Sequence, residues 1–239
     1  MKSTAFLSVL LLVAGLVPCS AGPAPPPHEL KPLQLFTDHA PEAFRQLGEA
    51  KQKIGLANIN FDLLSAAVFH ETNQRRAKEK LPSLGHDAKL CEAARMQAEI
   101  MAHRGSISHV NPERENKKTP ADRLRLAGLE PAFSAENVAT SFGLAYEGGQ
   151  LFFTREEQGK KVFSLESGGE PISTHTYVSF AGALLDLWME SPPHRRNILS
   201  SKPQFLGASC QPSVNPMGMP VFFCAQVFYT PLTKATPGP

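Results

Sequence analysis

"WMESPPHRRNIL", residues 188–199, decides how the chain reads. Upstream of it, "STHTYVSFAGALLDLWMES" (residues 173–191) is apolar at helical spacing, so the quoted stretch marks the end of an amphipathic helix. Trp188 lies on the apolar face and reads as a core anchor. Pro192 and Pro193 predict the stop, because proline has no amide proton to continue the helical ladder. Asn197 reads as a cap or brace of the following turn, and Arg195 and Arg196 as solvated or carboxylate-paired. Glu190 and His194 flank the helix end, where loops positioned by helices present binding groups. What His194 does depends on which other histidines and carboxylates meet it.

Working outward, three more helices are expected. "FDLLSAAVFHETNQRRAKEKL" spaces Leu64, Ala67, Val68, Glu71 and Arg75 along one face, with Asp62 as its cap and Pro82 beyond its end. "GHDAKLCEAARMQAEIMAHRG" lines up Leu90, Ala93, Ala94, Ala98 and Met101, opening at Asp87 and closing at Gly105. "TPADRLRLAGL" (residues 119–129) has a proline in its first turn and Gly128 at its end. Two short strands around "REEQGKK" predict an inserted hairpin near residues 150–166. "QFLGASCQ" and "VFFCAQVFYT", separated by turn residues, predict two adjacent terminal strands. Helices on an antiparallel sheet place the chain in the α+β class. A short helix at residues 40–53 is expected outside the main unit, which runs over residues 62–231. Residues 232–239 read as a tail.

The first 21 residues have Lys2, an apolar run from Ala5 to Val17 and small residues before Ala21, the pattern of a cleaved secretory signal. The apolar run is too short to span a bilayer as a helix. Lipid attachment at Cys19 is disfavoured by Pro18 before it. Residues 22–61 follow as a proline-rich spacer with the short helix. Against 24 basic and 22 acidic residues, loss of Lys2 leaves 23 against 22, so the charge offers no reason to expect nucleic acid as a partner. The rest of the chain has no second long apolar run, so no membrane span is expected after signal cleavage. In an oxidising compartment a Cys210–Cys224 disulfide is expected across the terminal hairpin. Cys91 reads as a buried free thiol with no histidine near it in sequence.

Six of the eight histidines (His28, His39, His70, His86, His103 and His175) read as exposed or structural. "SISHVN" puts His109 in the loop after the second helix, "SAENVA" puts Glu136 where a loop meets an apolar segment, and His194 follows the fourth helix. Two imidazoles with one or two carboxylates suit a divalent ion such as zinc.

"ETNQRR", "AKLCEAARMQAEIMA", "SHVNP", "AENVA", "LWMESPPHRRNIL" and "VFFCAQVF" come in the order seen in the CAP superfamily. That family comprises the cysteine-rich secretory, antigen 5 and pathogenesis-related 1 proteins, also called SCP-like. The chain resembles it over roughly residues 62–230, and "SPPHRRNIL" is most similar to its bacterial branch. The resemblance implies an α-β-α sandwich whose cleft holds two histidines, His109 and His194, and two acids. Glu136 matches the acid of the family's Gly-Glu-Asn, here Ala135-Glu136-Asn137, so alanine stands where an unusual backbone angle would want glycine. The second acid's usual place is taken by Ser191. Glu190 lies one residue earlier, a rotation of about 100° on a helix, and Asp186 is the fallback.

Three functions follow. A secreted or periplasmic binding module would hold a divalent cation, zinc or another, and/or a small apolar or lipid-like ligand or a protein partner in this cleft. A metal-dependent hydrolase, a peptidase or esterase, would use the same histidines and acid to activate water. A third reading makes the cluster a structural hydrogen-bonded knot. Neither Ser108 nor Ser191 lies in a nucleophile elbow, which favours the binding module.

Overall fold

The "VFFCAQVFYT" run forms the middle of the longest-buried strand, β6 (Pro220–Pro231). Its side chains alternate between two apolar clusters. Phe222, Cys224 and Phe228 enter one, and Val221, Phe223, Ala225, Val227 and Tyr229 enter the other. A strand covered on both faces is apolar at nearly every position, which is why this run shows no polar alternation. β5 (Phe205–Val214) and β2 (Pro131–Phe142) flank it antiparallel, and β1 (Gly85–His86) adds to β5 in parallel, giving the order β1-β5-β6-β2. The computed structural model describes residues 32–232. The expected signal segment, Cys19, residues 22–31 of the spacer and residues 233–239 lie outside them.

One face of the sheet packs α3 (Phe61–Lys78), α6 (Tyr177–Glu190) and α7 (Pro192–Ile198). The opposite face packs α4 (Ala88–Arg104) and α5 (Pro120–Leu126). The result is the expected α+β, three-layer α-β-α sandwich. Trp188 is fully buried within the first cluster. The inserted hairpin is present as β3 (Phe153–Glu157) and β4 (Lys160–Ser164). Its two-residue turn has both Gln158 and Gly159 at positive φ, 50° and 72°, the geometry that matches strand twist in tight hairpins.

Several expectations need correction. Asn60, not Asp62, caps α3: its side chain accepts the Leu63 amide at 3.0 Å, leaving Asp62 inside the first turn. The segment at residues 40–53 is not outside the main unit. Only α2 (Pro41–Phe44) is helical there, and Phe44 and Ala50 are fully buried in the same core as α3. α1 (Pro32–Thr37) precedes it and places Phe36 in that core as well. The double proline ends α6 and also opens α7, because the first helical positions need no amide donor.

Cys210 and Cys224 face each other across β5 and β6, with Cα atoms 4.1 Å apart, and are bonded as a disulfide. The bond closes a loop with a sequence separation of 14 residues. Constraint of the unfolded chain at that length predicts that Cys210→Ala with Cys224→Ala lowers stability by about 2–3 kcal/mol. Urea unfolding of the oxidised wild type and the double variant measures this. A difference below about 1 kcal/mol would mean that the hairpin stays closed when the domain unfolds.

Candidate functional site

β2 is the last strand of the sheet, so one of its edges is free, and successive side chains on it point to opposite layers. Glu136 points to the side of α4 and α5, and Asn137 to the side of α6 and α7. This alternation lets one edge strand address a histidine from each layer. Glu136 thus sits in the middle of a strand, not at the mouth of a loop. No positive φ occurs at Ala135: among the described residues only Lys80 and Gln158 of the non-glycine residues adopt one. Alanine therefore fits where the family has glycine.

Glu136 Oε1 lies 2.8 Å from His109 Nδ1, while its Oε2 accepts from Arg123 Nη2 at 2.7 Å. Arg123 and Glu136 side chains are 1% and 3% exposed, so this is a buried ion pair. Arg123 also donates to the carbonyls of His109 (3.3 Å) and Lys117 (3.1 Å), tying the loop that carries the histidine to α5. Gln97 of α4 fastens the same loop by donating to Ser108 O, and accepts from Asn111 Nδ2 at 2.7 Å. His109 itself remains about half exposed.

His194 lies in the first turn of α7, not in a loop. Asn137 holds this turn. Its amide donates to His194 O at 3.3 Å and its Oδ1 accepts from Asn197 Nδ2 at 2.8 Å. Behind it, Asn137 meets Gln226 (3.2 Å), which donates to Thr72 Oγ1 on α3 (2.6 Å). The His194 ring is half-buried, and burial followed by repulsion from His109 holds its pKa below the usual histidine range. The pair therefore prefers the neutral, lone-pair-bearing form at His194.

Glu136 thus contacts His109 directly, while its neighbour Asn137 holds the turn of His194, whose ring is near enough to His109 to be repelled by it. Glu190 is exposed and, among the described residues, makes no hydrogen bond or ion pair with them. Asp186 is 62% exposed and pairs with Arg75 at 2.9 Å, so it does not complete the set either. Arg123, Gln97, Asn111 and Asn137 were not singled out from the sequence. Cys91 is a free thiol, pushed up to about 11 by burial, but a histidine does stand beside it: His86 Nε2 is 3.5 Å from its sulfur.

An α-β-α sandwich with a histidine from each helical layer meeting at the sheet's edge strand defines a class of protein by architecture. The chain belongs to the cysteine-rich secretory protein family, whose CAP model matches residues 69–228, more than half of it. It is similar to the crystal structure of an extracellular protein containing an SCP domain from Bacillus anthracis, at 21% identity and a TM-score of 0.46 over 71% of this chain and 41% of that one. It is also similar to an outer surface protein of Borrelia burgdorferi (14% identity, TM-score 0.44, 69% of this chain and 90% of that one). A third is a cysteine-rich secretory protein of Staphylococcus aureus (14%, TM-score 0.41, 72% and 40%). The chain spans about two-fifths of the first and third of these. No curated protein matches the sequence. Among the described residues no helix is long and apolar enough to cross a membrane.

Proposed function

We propose that the protein is an exported binding module whose cleft takes up an exchangeable divalent cation, zinc or another, at His109 and His194. The bond from Glu136 to His109 Nδ1 carries this reading. It fixes the ring and leaves Nε2 as the free lone pair, the arrangement by which a carboxylate orients a metal-ligating histidine. The donor set fits a loosely held ion, not a closed structural site. Among the described residues no group of three or more histidine, cysteine, aspartate or glutamate side chains could enclose a metal. Solvent or a group from a partner would complete the coordination. When bound, such a cation supplies a Lewis-acidic point of attachment. Ile107 and Val110, 55% and 43% exposed on either side of His109, offer apolar contact to a small apolar or lipid-like ligand or a protein partner. Export rests on the pattern of residues 1–21.

The hydrolase reading has less support. Both oxygens of Glu136 are engaged, by His109 and Arg123, so this carboxylate is not free to activate water.

Zinc titration by calorimetry tests the site. One weak site is expected in the wild type and none in the His109→Ala, His194→Ala double variant. Equal binding by both proteins, or binding by neither, would sink the cation reading.

A further inference from the structure

Two imidazoles clasp the N-terminal helices α1 and α2 to the sandwich. His70, on α3, is 1% exposed, and its Nε2 lies 2.6 Å from the Leu35 carbonyl of α1. A carbonyl only accepts, so Nε2 holds the proton and donates. Nδ1 is then a bare lone pair, buried and, among the described residues, without a hydrogen-bond partner. The His70 ring stacks on Phe44 of α2 at 4.3 Å and meets the edge of Phe69 at 5.2 Å. His86, on β1, stacks on Phe36 of α1 at 3.7 Å. Phe36 also walls a cavity of about 470 Å³ that extends to Asp62 on α3, Cys91 on α4 and Ala208 on β5.

A second proton on His70 can go only to Nδ1. There, among the described residues, it finds no acceptor, and burial of the charge outweighs what the bond to Leu35 O returns. The neighbouring charges do not rescue it. His39, just after α1, opposes a positive His70. Glu71, the adjacent carboxylate on α3, is already paired with both Arg45, which follows α2, and Arg75. His86 shifts in the same direction. Burial holds its pKa below the usual histidine range and Asp87 offsets part of that, so His86 adds to release, but among the described residues it makes no hydrogen bond to the α1 backbone.

We propose that α1 and α2 form a strap latched by neutral His70, which lets go in acid and takes Phe36 out of the wall of the cavity that Cys91 also lines. The sign follows from proton counting. Burial is the main cause lowering the His70 pKa while the strap is latched, and release returns it toward about 6.5. The latched state binds fewer protons. Release is therefore favoured as pH falls below about 6.5 and is insensitive to pH above it, with a limiting slope of about tenfold per pH unit.

Amide hydrogen exchange on the full chain between pH 7.5 and 5 tests the strap, with opening constants corrected for the intrinsic exchange rate. The amides of α1 are expected to open up to about tenfold more per pH unit below 6.5, while those of α4 stay protected. His70→Gln keeps a side-chain N–H toward Leu35 O but has no titrating atom, so its α1 amides should respond less steeply to pH than those of the wild type, with His86 supplying what remains. The proposal is overturned if α1 and α4 open together, or if the variant keeps the wild-type slope. Should the variant not fold, the NMR titration of His70 in the wild type decides. A midpoint below 6.5 that coincides with shifts in α1 supports the latch, and a midpoint at or above 6.5 overturns it.

Discussion

Alanine in place of Gly207 is expected to cost the domain about 3 kcal/mol, the upper end of what overpacking a core usually does. Gly207 lies on β5 beneath α4. A Cβ there would overlap Cys91 N and the carbonyl carbon of Leu90, and would lie 2.6 Å from Leu90 Cβ. Two of these atoms are helix backbone, which cannot swing aside as a flexible side chain would. The whole of α4 would have to lift from the sheet, separating Leu90, Ala93, Ala94 and Met101 from Val227 and Tyr229 in the second cluster. The requirement is one of space, not of backbone angle, since Gly207 is not among the glycines at positive φ. Urea unfolding should show a lower midpoint with an unchanged slope. A loss below about 1 kcal/mol would mean that α4 rides more loosely on β5 than its contacts imply. Because α4 also carries Gln97 and leads into the His109 loop, lifting it should disturb the cleft as well.

What could be read from the sequence follows from how local each signal is. β5, β6, α3, α4 and α6 declare themselves because their apolar periodicity is continuous over two or more turns or a full strand. α1 and α2 do not, being six and four residues long and buried by stacking on histidines far along the chain. Motif order singled out His109, Glu136 and His194, and the first two touch. Arg123 was not singled out. It and Arg125 flank Leu124, and helical spacing cannot say which of the two turns inward to a carboxylate on another element. Arg125 pairs with Asp122 at the surface and is 73% exposed, whereas Arg123 is buried. The same holds for Asn137, Gln226 and Thr72, polar side chains that satisfy one another across three elements and look unremarkable one at a time. Glu190 is close to His194 in sequence, yet it is exposed at the last turn of α6.

The second large effect is expected at the pair behind His109. Arg123→Met leaves the Glu136 carboxylate buried without its counter-ion, and breaking a buried pair from one side costs about 3–5 kcal/mol. Replacing both partners by apolar residues, Arg123→Met with Glu136→Leu, removes the stranded charge and should recover most of that loss, because an apolar pair of similar volume is often as stable as the ion pair. Stability and function then separate. The double variant should fold near wild-type stability, yet His109 has lost the acceptor at Nδ1 that orients its ring, so zinc affinity should fall about 10–100-fold. A mild effect of Arg123→Met, below about 1 kcal/mol, would show that water reaches Glu136. Unchanged zinc binding in the double variant would mean that the carboxylate does not orient the ligand. The two measurements answer different questions, one about what keeps the α5 layer and the His109 loop on the sheet, the other about why an acid stands beside that histidine at all.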